Sequence, residues 1–308
     1  MIVCCGEALI DMLPREAVTG EAAFAPYAGG AIFNTAIALG RLGMRTGFFT
    51  GLSSDMFGDI LRTSLDASRV DHRYCATLDR PTTLAFVKLT DGQASYAFFD
   101  ENTAGRMITA ADLPVFGIDV EALHFGAISL MSEPCGATYE ALMQRETPRR
   151  VISLDPNIRA SFIKDKEQHL ARMQRMIAMS DIVKLSDEDL DWFGYGHRAD
   201  EAAATWLKLG PALVVVTRGK NGATAFSRSH SISVAGETVT VADTVGAGDT
   251  FNAGMLASLK RASLLSKDAI ASLDEEAIRD ALSLGVKAAS VTVSRAGANP
   301  PWAHEVGL

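Results

Sequence analysis

Apolar positions along the 308-residue chain fall into two alternating periods. Ile2-Val-Cys-Cys5 is an unbroken apolar run that stops at Gly6, the pattern of a strand buried on both faces of a parallel sheet. After Gly29 and Gly30 the spacing changes. Ile32, Ala36, Leu39 and Leu42 recur on one helical face, and Gly43 supplies the stop. A strand and a helix starting near Asp55 follow, then a strand over residues 122–127 with a helix from about Glu133. Residues 151–154 and the β-branched run Leu213–Thr217 read as further strands. Residues 237–242 read as a short strand leading to Asp243, beyond which Phe251, Met255, Leu256 and Leu259 keep helical spacing. Ile278, Leu282, Val286, Ala289 and Val293 mark one face of a last, mostly buried helix from Glu275 to Val293. This alternation predicts an α/β fold with a mostly parallel sheet.

Between residues 70 and 99 the texture differs. Runs at 73–77, 82–89 and 95–99 are short and β-rich, with the hairpin signal Asp91-Gly92 between the last two. Three antiparallel pieces break the strand–helix alternation and predict a small inserted sheet. Residues 12–28 carry neither period and read as irregular. No repeat or linker divides the chain, so residues 1–308 are expected to form one domain.

Charge and composition narrow the function. A net charge of −8 and the lack of a basic stripe argue against nucleic acid or an anionic membrane as partner. An apolar content of 48% with 21% charged residues is that of a globular enzyme. No apolar run reaches membrane-spanning length, and the N-terminus has no signal-peptide pattern, so the expected location is the cytoplasm. The four cysteines have neither disulfide-framework nor metal spacing, and Cys4 and Cys5 read as small strand residues.

The chemistry concentrates in Asp243-Thr-Val-Gly-Ala-Gly-Asp249. Two glycines leave the backbone bare where it enters a helix, and a helix start offers unpaired N–H groups and partial positive charge to a phosphate. Asp249, at or next to the cap, is placed to take a proton from an anchored hydroxyl. The plain alternative is a glycine turn with a capping aspartate. Asp11 lies just past an early strand, where ligands bind in open α/β sheets. Two glycines before a helix, followed by Asn34, allow a close backbone approach to a ligand or simply a tight turn. Asp155-Pro-Asn157-Ile-Arg159 hangs a polar cluster off a strand end, and Ser186 with its acidic followers is a complete helix cap by itself. There is no Gly-x-x-x-x-Gly-Lys-Ser/Thr, dinucleotide fingerprint, Gly-x-Ser-x-Gly or paired-histidine helix.

The same residues carry a resemblance. Asp-Thr-Val-Gly-Ala-Gly-Asp-Thr-Phe is similar to the C-terminal signature of the ribokinase-like (phosphofructokinase-B) carbohydrate kinases, and Gly-Gly-Ala-Ile-Phe-Asn34 matches their N-terminal one. The resemblance spans nearly the whole chain. It implies a three-layer α/β/α sandwich with a β-sheet lid drawn from about residues 12–28 and 71–104. It makes Asp249 the catalytic base and Gly246, Ala247 and Gly248 the anion hole. Asp11, Gly29, Gly30 and Asn34 would hold the sugar. Lys184, Ser186, Thr217, Gly219 and Gly248 would meet the nucleotide. Where many members have Asn-x-x-Glu this chain has Ser186 and Asp189, so Asp189 would act on Mg²⁺ through water. Asp243, Val245 and Gly297 would cradle a potassium ion. Asp-Pro-Asn-x-Arg resembles bacterial fructokinases and 2-keto-3-deoxygluconate kinases, which assigns Arg159 to the substrate or the transferring phosphate. The implied reaction is ATP-dependent phosphorylation of D-fructose, with a homodimer formed through the lid. The alternatives are another sugar, 2-keto-3-deoxygluconate first, with Arg159 or Arg106 meeting its carboxylate, or a sugar-binding regulator without turnover.

Overall fold

The computed structural model describes residues 1–90 and 93–308. The first strand, β1 (Ile2–Cys5), lies between β10 (Ala122–Gly126) and β4 (Thr46–Phe49) and pairs parallel with both. Beyond β4 comes β6 (Val70–Asp71); beyond β10 come β11 (Val151–Asp155), β12 (Ile182–Ser186) and β13 (Leu213–Thr217), all parallel. Only β14 (Ala223–Phe226) and β15 (Ser231–Val234), which close the far edge, run antiparallel.

Strand residues alternate between two cores, because successive side chains leave a sheet on opposite faces. Ile2 and Cys4 pack with α1 (Ala31–Arg41), α2 (Met56–Ala67), α7 (Ala247–Arg261) and α9 (Glu275–Val293). Val3 and Cys5 pack with α3 (Cys135–Glu146), α4 (Lys166–Met179), α5 (Asp187–Trp192) and α6 (Ala199–Leu209). The neighbouring cysteines thus point into different layers, and all four thiols are free. The helix expected over 275–293 forms over those residues, with Asp274 as its cap. Among the described residues no helix is long and apolar enough to cross a membrane.

A second sheet runs β3 (Ala22–Gly29), β2 (Leu9–Glu16), β8 (Leu84–Thr90) and β9 (Gln93–Phe99). The inserted sheet is therefore present, but its make-up corrects the sequence reading in two places. Residues 12–28 are not irregular: they form most of the β2–β3 pair, in register from Leu9 opposite Gly29 to Glu16 opposite Ala22. Small alanines, two prolines and a solvent-facing β3 hide that pair from hydrophobic periodicity. The run at 73–77 belongs elsewhere, since β7 (Ala76–Leu78) pairs in parallel with β5 (Gly51–Ser53). The Asp91-Gly92 turn lies outside the described residues. A third correction concerns 237–242, which is no strand. Its alternating apolar residues line a cavity, and where the stretch ends the Ala242 and Asp243 amides donate to the Val293 carbonyl at the end of α9.

Candidate active site

Two cavities meet at the carboxyl ends of the parallel strands. The first, of 730 Å³, takes Glu7, Asp11, Asn34, Arg159 and Asp249 into its wall, and Phe98 reaches it from the second sheet. The second, of 560 Å³, is apolar, with Val239, Val241, Phe251, Val286 and Val293 in its lining. Both are bounded by Thr217, Thr244, Ala247 and Gly248, so the start of α7 is the seam between them.

Why α7 starts bare is visible in its cap. Gly246 sits at φ +77°, the left-handed region that glycine enters freely, and no side chain caps the helix. The amides of Gly246 and Gly248 meet no acceptor among the described residues, whereas Ala247 donates to the Thr244 carbonyl at 3.3 Å. Two of the three expected anion-hole amides are therefore free for a ligand, and the helix start adds its partial charge.

Asp249 is the third residue of α7, inside its first turn rather than at the cap. It is buried, and its Oδ2 accepts from Asn34 Nδ2 of α1 at 2.9 Å. The other carboxylate oxygen takes no hydrogen bond among the described residues. Burial pushes the Asp249 carboxyl up to about 7, with Asp155 adding to the rise; the Asn34 bond, Lys184 and Arg159 oppose it. A carboxylate that titrates near neutrality inside a cleft is suited to accept and return a proton.

Beneath the seam lies a buried polar set that sequence reading caught only in part. Lys184 Nζ pairs with Asp155 Oδ2 at 3.0 Å, and Asn252 Nδ2 donates to the same oxygen at 2.7 Å. Burial works against the Lys184 charge, but Asp155 and Asp189 outweigh it and hold the ammonium above its usual range. A methyl group on Gly248 would sit 3.1 Å from Lys184 Nζ, so the cation lies directly against the first turn of α7. Asp155 Oδ1 and Asn252 Oδ1 remain buried without a partner. Asp155 was legible only as part of a polar strand end, and Asn252 gave no signal among its helical neighbours.

The sugar-side residues fall in two groups. Asp11 and Gly30 line the first cavity, and burial lifts the Asp11 carboxyl to about 6. No donor among the described residues meets that carboxylate, which leaves it free for ligand hydroxyls. Gly29 does not line the cavity. Its part is to make room, since a Cβ there would lie 2.3 Å from Asp11 Oδ2 across the β2–β3 pair. Arg159 is exposed at the rim. Arg106 sits outside this cavity, donating to the Glu133 carbonyl and facing Asp100, so it is not available to a substrate carboxylate there.

On the nucleotide side, Ser186 and Thr217 line the first cavity and Gly219, at φ +49°, the second. Ser186 and Asp189 form a reciprocal capping box at the start of α5. Asp189 is buried, its Oδ1 accepting from the Ile158 amide at 2.7 Å and its Oδ2 from Ser186. It does not line the cavity, and the expectation that it acts on metal-bound water gains no support from this placement. Its helix neighbours Asp187 and Glu188 do line it. Asp243 ties two loops together, accepting from Val245 N at 3.0 Å and Gly297 N at 2.9 Å. The three residues expected around a monovalent cation are thus neighbours.

Comparison with known proteins agrees with this geometry. A model of the pfkB family carbohydrate kinases matches residues 1–305. A fructokinase of Rhizobium leguminosarum bv. trifolii is 65% identical over 280 residues, covering 91% of this chain and 86% of the relative. The crystal structure of a Xylella fastidiosa fructokinase with bound ATP superposes with a TM-score of 0.89 at 30% identity, covering 99% of this chain and 96% of the other. A Vibrio cholerae O395 fructokinase double mutant, solved with fructose, ADP and potassium ion, gives a TM-score of 0.84 at 25% identity, covering 96% and 93%. The chain belongs to the pfkB family of carbohydrate kinases.

Proposed function

We propose that this protein is a fructokinase, transferring the γ-phosphoryl group of ATP to the primary hydroxyl of D-fructose to give fructose 6-phosphate and ADP. The observation that carries the reading is the seam. Asp249, backed by Asn34, faces a polar cavity at the point where bare amides of α7 divide it from an apolar one. The sugar occupies the first cavity with hydroxyls on Asp11, Gly30 and Asn34, and the adenosine lies in the second. Triphosphate oxygens then cross at Gly246 and Gly248, near Lys184, Ser186, Thr217 and Gly219. Asp249 removes the hydroxyl proton as the phosphoryl group moves in line. Preorganised donors lower the barrier most where charge builds up, which is the role of the two amides, Lys184 and Arg159.

Among the described residues no group of three or more His, Cys, Asp or Glu could hold a metal ion. That fits magnesium, which keeps several of its waters and is bound through phosphates plus one or two carboxylates. Asp187 and Glu188 are the carboxylates that would meet it, and the ion supplies charge neutralisation of the phosphates. The Asp243–Val245–Gly297 loop pair is the place for potassium. The sheet β3–β2–β8–β9 acts as the lid, drawn from residues 9–29 and 84–99. Its exposed Phe24, Tyr27 and Phe99 offer the contact for a homodimer. A reaction that consumes ATP fits a cytoplasmic setting.

The free enzyme should lose kcat/KM as the pH falls below about 7, roughly tenfold per pH unit, because only ionised Asp249 accepts the proton. A pH–rate profile without such an acid limb would remove Asp249 from the base role. Rates on a panel of sugars with ATP test the substrate. D-fructose should give the highest kcat/KM. Preference for an acid sugar would overturn the fructose assignment, and absence of any sugar-dependent ADP release would overturn the kinase.

A further inference from the structure

Glu7 belongs to neither family signature, yet it lines the wall of the first cavity. It lies two residues past the end of β1 and is buried. Its Oε1 accepts from the amides of Ala31 at 2.8 Å and Ile32 at 3.3 Å, and its Oε2 accepts from the Ser129 amide at 3.3 Å. The first two amides begin α1, and the third belongs to the turn after β10. Helix α1 needs that partner from elsewhere. Its cap is Gly30, with no side-chain hydrogen bond, and its first turn contains no acidic residue. Four unpaired amides begin any helix, and a carboxylate against them both bonds and offsets the helix dipole.

The surroundings hold Glu7 as tightly as Glu7 holds the helix. A Cβ on Gly30 would lie 3.0 Å from the Glu7 carbonyl oxygen and 3.2 Å from its Cγ. The preceding Gly6 carbonyl accepts from the buried Tyr139 hydroxyl at 3.1 Å. One turn into α1 stands Asn34, whose amide donates to Asp249.

We propose that Glu7 is a positioning residue, clamping the start of α1 to the end of β1 and the turn after β10 so that Asn34 meets Asp249 in the orientation phosphoryl transfer requires. The inference rests on Asp249 being the base. Glu7 acts through Asn34, which bears both a sugar hydroxyl and the bond to Asp249, so its loss moves the sugar KM somewhat and turnover further. In Glu7→Gln one amide hydrogen faces a backbone N–H, which breaks one side of the clamp while preserving volume.

The test is a double-mutant cycle on the full chain with Glu7→Gln, Asn34→Ala and the pair. Glu7→Gln should lower kcat about tenfold and move the KM for sugar less than about threefold, the pattern of an interaction realised in the transition state. In the Asn34→Ala background the same change should cost less than about twofold more, because coupled residues are not additive. A Glu7→Gln enzyme with unchanged kcat, one altered only in KM, or losses that multiply fully would each overturn the proposal. Should Glu7→Gln fail to fold, Ala31→Pro deletes one clamped N–H at the helix position where proline is well tolerated, and the same kcat loss is expected. Loss of turnover in Asp249→Asn alongside a silent Glu7→Gln would leave the kinase standing without this role for Glu7. Absence of turnover in the unaltered chain would remove both.

Discussion

Asp249→Asn should abolish most sugar-dependent ADP release, by about two orders of magnitude or more, and at the same time make the protein more stable above neutral pH. The first effect is the usual scale for deleting a positioned acid–base group. The second follows from the raised carboxyl. A group titrating near 7 when folded and near 4 when unfolded favours the native state below about pH 4, and that contribution is lost as the pH rises through about 7. At pH 8 the native protein therefore holds a buried charge it would shed if it could. An asparagine removes that cost and still offers Asn34 an acceptor oxygen in place of Oδ2. The gain at pH 8 should be on the order of 1–3 kcal/mol and should vanish near pH 4. Thermal melts of both forms at the two pH values, with turnover on the same samples, check it. A variant that is inactive and also less stable at pH 8 would mean that the carboxylate holds the fold, not the chemistry.

Lys184→Met should have the largest effect on stability. Lys184 and Asp155 are both almost wholly buried, with Asn252 completing the set. Removing one partner of a buried pair strands the other charge, and such changes cost about 3–5 kcal/mol. Turnover should fall as well, by about a hundredfold, because in the proposed mechanism the ammonium beside Gly248 is one of the donors that face the crossing phosphoryl group. The two losses separate in Lys184→Met with Asp155→Asn, where no stranded charge remains. That double variant should recover much of the stability in urea denaturation and none of the turnover. Recovery of both would assign Lys184 to the fold alone.

How far these sites were legible depended on whether their signal was local. Asp249, Asn34 and the bare helix start stand in short motifs whose spacing is meaningful before folding, and the structure brings them to one seam across 215 positions of sequence. The placement of Asp249 inside the helix rather than at its cap was not legible, since it depends on Gly246 adopting a left-handed conformation. Ser186 and Asp189 show the opposite case. Their capping box is a sequence-local hydrogen-bond pair, and that plain reading describes the geometry better than the metal-binding role implied by resemblance.

By itself the sequence determined the strand–helix alternation, the two buried faces of the parallel sheet and the last helix, because hydrophobic period is a local property of the chain. It also determined that a bare glycine turn and an aspartate would open α7. Only the tertiary structure decided that residues 12–28 join the second sheet and that 237–242 lines an apolar cavity instead of pairing as a strand. It alone brought Glu7, Asp155 and Asn252 beneath the site. That last placement rests on hydrogen bonds and an ion pair between residues from 24 to 122 positions apart, and such contacts leave no period in the sequence.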